Sequence, residues 1–381
     1  MVYRLHLFPG LTLLAVTFII QLVLSWWAWH SPKCSTWILR SVLVCANLVL
    51  AALFVLSYLL GFHRVLRHVP MWQATWIEAL GLILSLALIG LFLGAVLFRQ
   101  ASGFRPERRV FIKAAGGAVM AAPFVATAFG MVNRNRIHLN VIDIAIPGLP
   151  KDLHGLRIAQ ITDIHLSPFL SEKEFARTVY MANEAKPHLA LVTGDLITRP
   201  GDPLDACLRQ LARLRADAGV LGCLGNHEVY CTCEDYVTER GRSIGIDFLR
   251  SRARILRFGD AAINFAGVDY QKFESAYLRG AERMIVPGTL NILLSHNPDV
   301  FPRAAAQGYD LTIAGHTHGG QLNVEILRQD LNVARFFTPY VRGLYRQGKA
   351  AVYVSSGIGT IGVPVRIGAP AEVAILRLCA S

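Results

Sequence analysis

Acidic side chains are nearly missing from the first third of this 381-residue chain. Residues 1–130 hold two, Glu78 and Glu107, against ten Lys or Arg, leaving 24 of 26 acids and 28 of 38 basic residues downstream. Most of the formal net charge of +12 therefore sits in that first third. The rest is close to neutral and shows no basic stripe with interleaved aromatics, which argues against a nucleic-acid partner. The basic excess reads instead as charge flanking membrane segments. Cysteine pairs with zinc-knuckle spacing are also missing. Of Cys34, Cys45, Cys207, Cys223, Cys231, Cys233 and Cys379, one close pair stands out, Cys231-Thr-Cys233. Its one-residue gap, without a matching second pair, reads as a turn with two small thiols, and a disulfide there would need an oxidising compartment. Internal repeats and low-complexity tracts are absent, and the glycine-rich stretch Gly357–Pro364 lacks phosphate-loop spacing.

What is abundant is apolar length. Hydrophobic residues make up 53% of the chain, and mean hydropathy is +0.41. Leu5–Trp29, Thr36–Phe62 and Met71–Phe98 are three apolar runs, each beyond the ~20 residues that cross a bilayer core as a helix. Every tryptophan (Trp26, Trp27, Trp29, Trp37, Trp72 and Trp76) lies near a run end, as in an interfacial aromatic belt. Val110–Val132 is a weaker fourth segment containing Gly116, Gly117 and Pro123. It reads either as a further span or as a twin-arginine-like export signal, since the string ERRVFIKAA pairs Arg108 and Arg109 with Phe111 and Lys113.

These features predict a multi-pass protein of a bacterial inner membrane, with a membrane region over 1–132 and a second domain over 133–381. The five basic residues of Arg99–Lys113 favour keeping that connection in the cytoplasm. A fourth crossing would then place the second domain outside the cytoplasm. Arg64 and Arg67 fit that topology less well. Without the crossing, the domain faces the cytoplasm.

From His138 the pattern turns to short β-branched runs alternating with longer amphipathic stretches, which predicts an α/β domain. Expected strands are Val141–Ile146, Leu156–Ile161, Leu189–Thr193, Val220–Leu224, Ala262–Val268, Thr289–Leu294, Leu311–Ala314, Ala351–Ser355 and Val373–Leu378. Expected helices are Ser171–Ala185, Leu204–Ala216, Cys233–Ser243 and Asp299–Gln307. Five of the strand runs end in polar residues of one kind: Asp163-Ile-His165, Asp195, Asn226-His227-Glu228, His296 and His316-Thr317-His318. A single Asp or His after a strand is usually a turn residue. Five together, several beside glycine, point to a site assembled at the strand ends. Carboxylates, imidazoles and one amide carbonyl suit borderline or hard divalent ions such as Mn, Fe or Zn. Seven or more ligands exceed what one ion needs. Two ions about 3.5–4 Å apart can share a hydroxide and clamp both oxygens of an in-line phosphoryl displacement.

In order, DIH, GD, GNHE, SH and GHTHGGQ resemble the calcineurin-like metallophosphoesterases from about Asn140 to the C-terminus. With SSGIGTIGVPVRIGAP near the end, the pattern looks most like a bacterial membrane-associated branch. Some members of that branch carry twin-arginine signals, and others cleave UDP-diacylglucosamine. The resemblance implies a four-layer α/β (α+β) β-sandwich flanked by helices, behind an α-helical transmembrane region. It implies two divalent ions, one on Asp163, His165, Asp195 and His318 and the other on Asp195, Asn226, His296 and His316. Catalytic roles fall to Asn226, to His227 as phosphate contact and proton donor, and to Glu228 as the group orienting that histidine. The expected partners are a lipid bilayer and a phosphodiester or pyrophosphate substrate, a lipid-linked one included, attacked by a metal-bound hydroxide. The alternatives are a membrane-tethered metal-binding regulator without turnover and a nucleic-acid phosphodiesterase. Two departures stand out: GDLIT puts Thr198 where many members carry a second acid, and APAEV replaces the commoner PPE.

Overall fold

The computed structural model describes residues 7–30, 71–100, 106–271, 277–326 and 329–381, with isolated positions between 37 and 52. The chain separates into two compact units, Met1–Met131 with Gly362–Pro364, and Val132–Ile361 with Val365–Ser381. Helices α1 (Leu7–Trp29), α2 (Met71–Gln100) and α3 (Pro106–Asn133) fall on the first, third and fourth apolar segments. Most of the second run, Thr36–Phe62, lies outside the described residues. Among the described residues one helical stretch, Arg108–Asn133, is long and apolar enough to cross a membrane. Val16–Trp27 and Ala87–Leu97 are shorter apolar helical stretches.

The second unit holds two six-stranded sheets. Its strands are β1 (Ile137–Ile146), β2 (Arg157–Ile161), β3 (Leu189–Thr193), β4 (Val220–Cys223), β5 (Ile246–Phe248), β6 (Arg252–Phe258), β7 (Ala261–Gly267), β8 (Leu290–Leu294), β9 (Leu311–Ala314), β10 (Asn323–Ile326), β11 (Gln329–Asn332), β12 (Gly343–Gln347), β13 (Ala350–Val354) and β14 (Ala371–Ala380). Its helices are α4 (Glu172–Glu184), α5 (Leu204–Leu211), α6 (Asn226–Cys231), α7 (Glu234–Ser243) and α8 (Phe301–Gln307). The first sheet runs β1-β14-β2-β3-β4-β5 and the second β12-β13-β9-β8-β7-β6, while β10 and β11 form a separate hairpin. Within the first sheet β2, β3, β4 and β5 are parallel, and within the second so are β7, β8, β9 and β13.

Side chains alternate across a strand, so each sheet has two apolar faces to cover. Leu189 and Leu191 of β3 join Ile292, Leu294 and Ile313 of the second sheet in one buried cluster, which is the core between the sheets. Ala190 and Val192 face the other way, against Phe175 and Val179 of α4 and Leu208 and Leu211 of α5. On the far side, Phe301 of α8 packs with Ala314, Val352 and Val354. The order helix, sheet, sheet, helix follows.

Nine expected strands appear, with ends shifted by a few residues at most. The strands β5, β6, β10, β11 and β12 were not expected. The expected helix Leu204–Ala216 stops at Leu211, and the stretch Asp299–Gln307 becomes a 3-10 turn, Pro298–Val300, followed by α8. Ser171 caps α4 through a reciprocal pair with Glu174, whose backbone N–H donates to the Ser171 hydroxyl at 3.3 Å.

Candidate metal centre

The parallel strands deliver their C-terminal ends to one place. Asp163 and His165 follow β2, Asp195 follows β3, Asn226 and His227 open α6 after β4, His296 follows β8, and His316 and His318 follow β9. The loops are zipped together through the backbone. Asp163 N–H donates to the Gly194 carbonyl at 3.1 Å and His165 N–H to that of Asp195 at 3.0 Å. Five of these residues hold left-handed backbone: Asp163 (φ 50°), His165 (46°), Asp195 (57°), His316 (76°) and His318 (53°). Each such conformation costs a non-glycine residue about 1–2 kcal/mol. Strain concentrated in one cluster marks a site whose surroundings over-determine it. Gly225 lies against Asp195 so closely that a Cβ there would land on the carboxylate, so glycine is required by contact rather than by φ.

Both carboxylates are buried and already placed by donors. Asp163 accepts from the Thr162 hydroxyl (2.8 Å) and from His316 N–H (3.0 Å). Asp195 Oδ1 accepts from His227 N–H at 2.9 Å. Imidazoles surround the free oxygens. From Asp195 Oδ2, His296 Nε2 lies at 3.0 Å and His165 Nε2 at 3.5 Å. His318 Nε2 lies 3.5 Å from Asp163 Oδ1. Donor atoms of Asp163, His165 and His318 all lie within 4.8 Å of one another, as do those of Asp195, His296 and His316 and those of His165, Asp195 and His227.

The electrostatics show what the cluster lacks. Burial pushes the Asp163 carboxyl up to about 6. Burial would raise Asp195 as well, but the His296 and His227 charges outweigh it and hold that carboxyl well below the usual range. Burial pushes His165 down to about 3 and His318 well below the imidazole range. For His296, burial pushes down too, yet Asp195 and Asp163 lift it to about 10.

Its geometry explains this. His296 Nδ1 sits 2.7 Å from the Thr193 carbonyl, which can only accept, so Nδ1 carries the proton and Nε2 a lone pair. A lone pair 3.0 Å from a carboxylate oxygen repels it unless a cation stands between. Four buried polar atoms of the cluster make no hydrogen bond: His165 Nε2, His296 Nε2, His318 Nδ1 and Asn226 Oδ1. Orphaned lone pairs converging on two carboxylates, with no cysteine in the groups, fit divalent cations.

Residues 156–320 match the calcineurin-like phosphoesterase family. An uncharacterized metallophosphoesterase of Aquifex aeolicus is 31% identical over 248 residues, which cover 60% of this chain and 87% of that protein. The chain belongs to the calcineurin-like metallophosphoesterases. This is a metal-dependent family of phosphoesterases, in keeping with the donor set. A transmembrane protein with metallophosphoesterase domain from Danio rerio is 32% identical over 266 residues, 65% of this chain and 59% of that protein. An uncharacterized metallophosphoesterase of Campylobacter jejuni is 32% identical over 244 residues, 62% of each. The chain thus spans less than two thirds of the length of these two relatives.

Six of the seven residues expected to bind metal, and His227 with them, bring donor atoms together in the three groups of this metallophosphoesterase site, while Asn226 opens α6 beside His227. Glu228 plays a different part from the one expected. Its carboxylate accepts from the backbone N–H of Gly225 (2.7 Å), Asp195 (2.9 Å) and Leu196 (2.7 Å), so it locks two site loops together. His227 is oriented instead by Thr198, whose carbonyl lies 2.5 Å from Nδ1. Thr198 also places its hydroxyl 3.1 Å from His165 Nδ1, so the residue standing in for the family's second acid touches two site histidines.

Sequence reading missed Arg366. Its guanidinium is buried and donates to the carbonyls of Ser356, Gly357, Gly359 and Ala369, with His318 at 3.4 Å. The available signal was a lone arginine in a run of glycine and apolar residues. Glu372 of the APAEV motif was given no chemistry. It accepts from the Tyr353 and Ser355 hydroxyls and from Ser356 N–H, tying β14 to the loop after β13.

Proposed function

We propose that this protein is a membrane-anchored phosphoesterase that hydrolyses a phosphodiester or pyrophosphate, with a lipid-linked molecule such as a UDP-diacylglucosamine-like compound as substrate class. One observation carries the reading: two buried carboxylates face three imidazoles, those of His165, His296 and His318, each with a ring nitrogen left without a partner. Asp163, His165, Asp195 and His318 would hold one divalent ion, and Asp195, Asn226, His296 and His316 a second, with Asp195 shared. Bound there, the ions supply Lewis acidity for water activation and charge on the phosphoryl oxygens.

The chain's own residues complete the site. The Thr198 carbonyl holds the proton on His227 Nδ1, so a charged His227 can release its other proton from Nε2 to a leaving-group oxygen. General acid help of this kind is worth roughly 100- to 10,000-fold. The backbone donors on Asp163 and Asp195 keep both carboxylates aimed. The Thr198 hydroxyl turns the His165 ring, as partners of metal-bound histidines do.

Support for the membrane reading comes from the candidate span Arg108–Asn133, the apolar helices before it and the relative from Danio rerio whose name includes a transmembrane part. Spans at 5–29, 36–62, 71–98 and 110–132 and an extracytoplasmic site in a bacterial inner membrane belong to the same proposal. The test has two arms. Purified full-length protein is expected to contain Mn, Fe or Zn by elemental analysis and to hydrolyse bis(4-nitrophenyl) phosphate. Metal-loaded protein inert on a broad panel of phosphoesters would make it a metal-binding regulator. Reporter fusions at Ser381 distinguish the two membrane faces.

A further inference from the structure

We propose that the turn Arg335–Phe337 is a docking tip that seats the metal centre against an anionic lipid surface, an inference that rests on the phosphoesterase reading above. Phe336 and Phe337 are 87% and 78% exposed, more than any other large apolar side chain among the described residues. They end a 3-10 turn, Val333–Phe336, whose base is pinned. The Asn332 side chain donates to the Gly319 carbonyl and accepts from Ala334 N–H, both at 2.9 Å. The Thr338 hydroxyl donates to the Asp299 carboxylate, and the Thr317 hydroxyl to the Val341 carbonyl, both at 2.5 Å. The rings are therefore presented by a braced turn. Thr317 and Gly319 flank His318, so the tip is tied on both sides to the turn that carries two proposed metal ligands.

A basic stripe with aromatics was not evident in the sequence because the four aromatics of this segment do not act alike. Tyr340 packs edge-on against Phe301 and Tyr345, with centroids at 5.6 and 5.3 Å. The Tyr345 hydroxyl accepts from Val341 and Arg342 N–H. Phe336 and Phe337 face water. On the same segment Arg335 and Arg342 are exposed, Arg342 while donating to the Gly368 carbonyl at 2.7 Å, and residues 332–345 contain no acid. Adjacent rings at a tip, with cations beside them, match a surface where rings enter the acyl boundary and guanidiniums stay with anionic headgroups. Two phenylalanines present roughly 150–250 Å² each, well short of the ~800 Å² per partner of a stable protein interface. Weak docking suffices for a chain held at the bilayer by its own span, and it brings a lipid-linked phosphate to the metal centre.

The test uses the full chain in nanodiscs containing roughly a third anionic lipid, with p-benzoylphenylalanine in place of Phe336. Illumination should give lipid adducts at 336 and far fewer with the probe in place of Tyr180, 66% exposed on α4. No lipid adduct at 336, equal yield at both positions, or adducts to a second protein chain would overturn the proposal. In the kinetic arm, the double variant Phe336→Ser, Phe337→Ser should lose about tenfold or more in kcat/KM on a long-chain phosphodiester embedded in the nanodisc. Its hydrolysis of soluble bis(4-nitrophenyl) phosphate should stay within about twofold of wild type, because neither ring touches the metal centre. Equal losses on both substrates would reveal a structural role and overturn docking. No turnover by the wild type on either substrate would refute the phosphoesterase reading instead, with the lipid adduct still deciding the tip.

Discussion

The two six-stranded sheets contribute unequally to the candidate metal centre. The first supplies both carboxylates, the Asn226 amide, His165 and His227, whereas the second supplies three imidazoles, His296, His316 and His318. Neither set is balanced alone. Two buried carboxylates without counter-charge, or three crowded imidazoles without an acid, would each be costly. The aliphatic core between the sheets holds the halves at ion-pair distance: His296 lies 3.0 Å from Asp195 and His318 3.5 Å from Asp163. In this domain the packing of leucine and isoleucine sets the geometry of the chemistry.

Breaking the shared carboxylate should do most damage. Asp195→Asn should lower phosphodiester hydrolysis at least ~1,000-fold, about 4 kcal/mol of transition-state free energy, and elemental analysis should show both ions depleted. His296→Ala should remove one ion and leave the other, because the first position keeps Asp163, His165, Asp195 and His318, so the second sheet still serves both positions. Next comes the proton donor. His227→Asn should cost roughly 100-fold or more in kcat with metal content unchanged, and a drop in metal content would make His227 a ligand instead. Stripping metal tests the bridge between the sheets. At ligand concentrations near 100 times Kd, each of the two ions contributes about 2.7 kcal/mol to stability. Chelation should then lower the melting temperature of the sheet domain by roughly 10–20 °C, read by scanning calorimetry. Unchanged melting would mean that the core alone fixes the sheets. The smallest effect belongs to Thr198→Ala, expected to weaken metal affinity or activity about 10- to 100-fold, with Thr198→Ser restoring most of it. That split would separate the hydroxyl on His165 from the backbone carbonyl on His227, which both variants keep.

Much of the domain could be read in one dimension because strand runs announce themselves by β-branched alternation and the polar residues follow them directly. The expected strand Leu189–Thr193 was recovered residue for residue, as was Leu311–Ala314. Strands β5, β6 and β12 escaped because they are short or edge elements with charged faces, such as Arg252, Arg254 and Arg257 on β6, and owe their form to their neighbours. Glu228 shows a different limit. A glutamate after a histidine looks like its orienting partner, yet α6 turns that carboxylate toward three backbone amides of the first sheet's loops. Arg366 is a further case: a lone arginine in a glycine-rich apolar run hints at burial, but its partners are carbonyls spread from residues 318 to 369.

By itself the sequence determined the inventory of Asp, Asn and His side chains, the strand ends that carry it and the apolar segments, because composition and period are local properties. Only the tertiary structure decided which imidazole faces which carboxylate, that five of these residues sit in left-handed backbone, and which aromatics remain in water. Those facts depend on two sheets meeting across an aliphatic core, and that contact joins residues more than a hundred positions apart, such as Thr193 and His296.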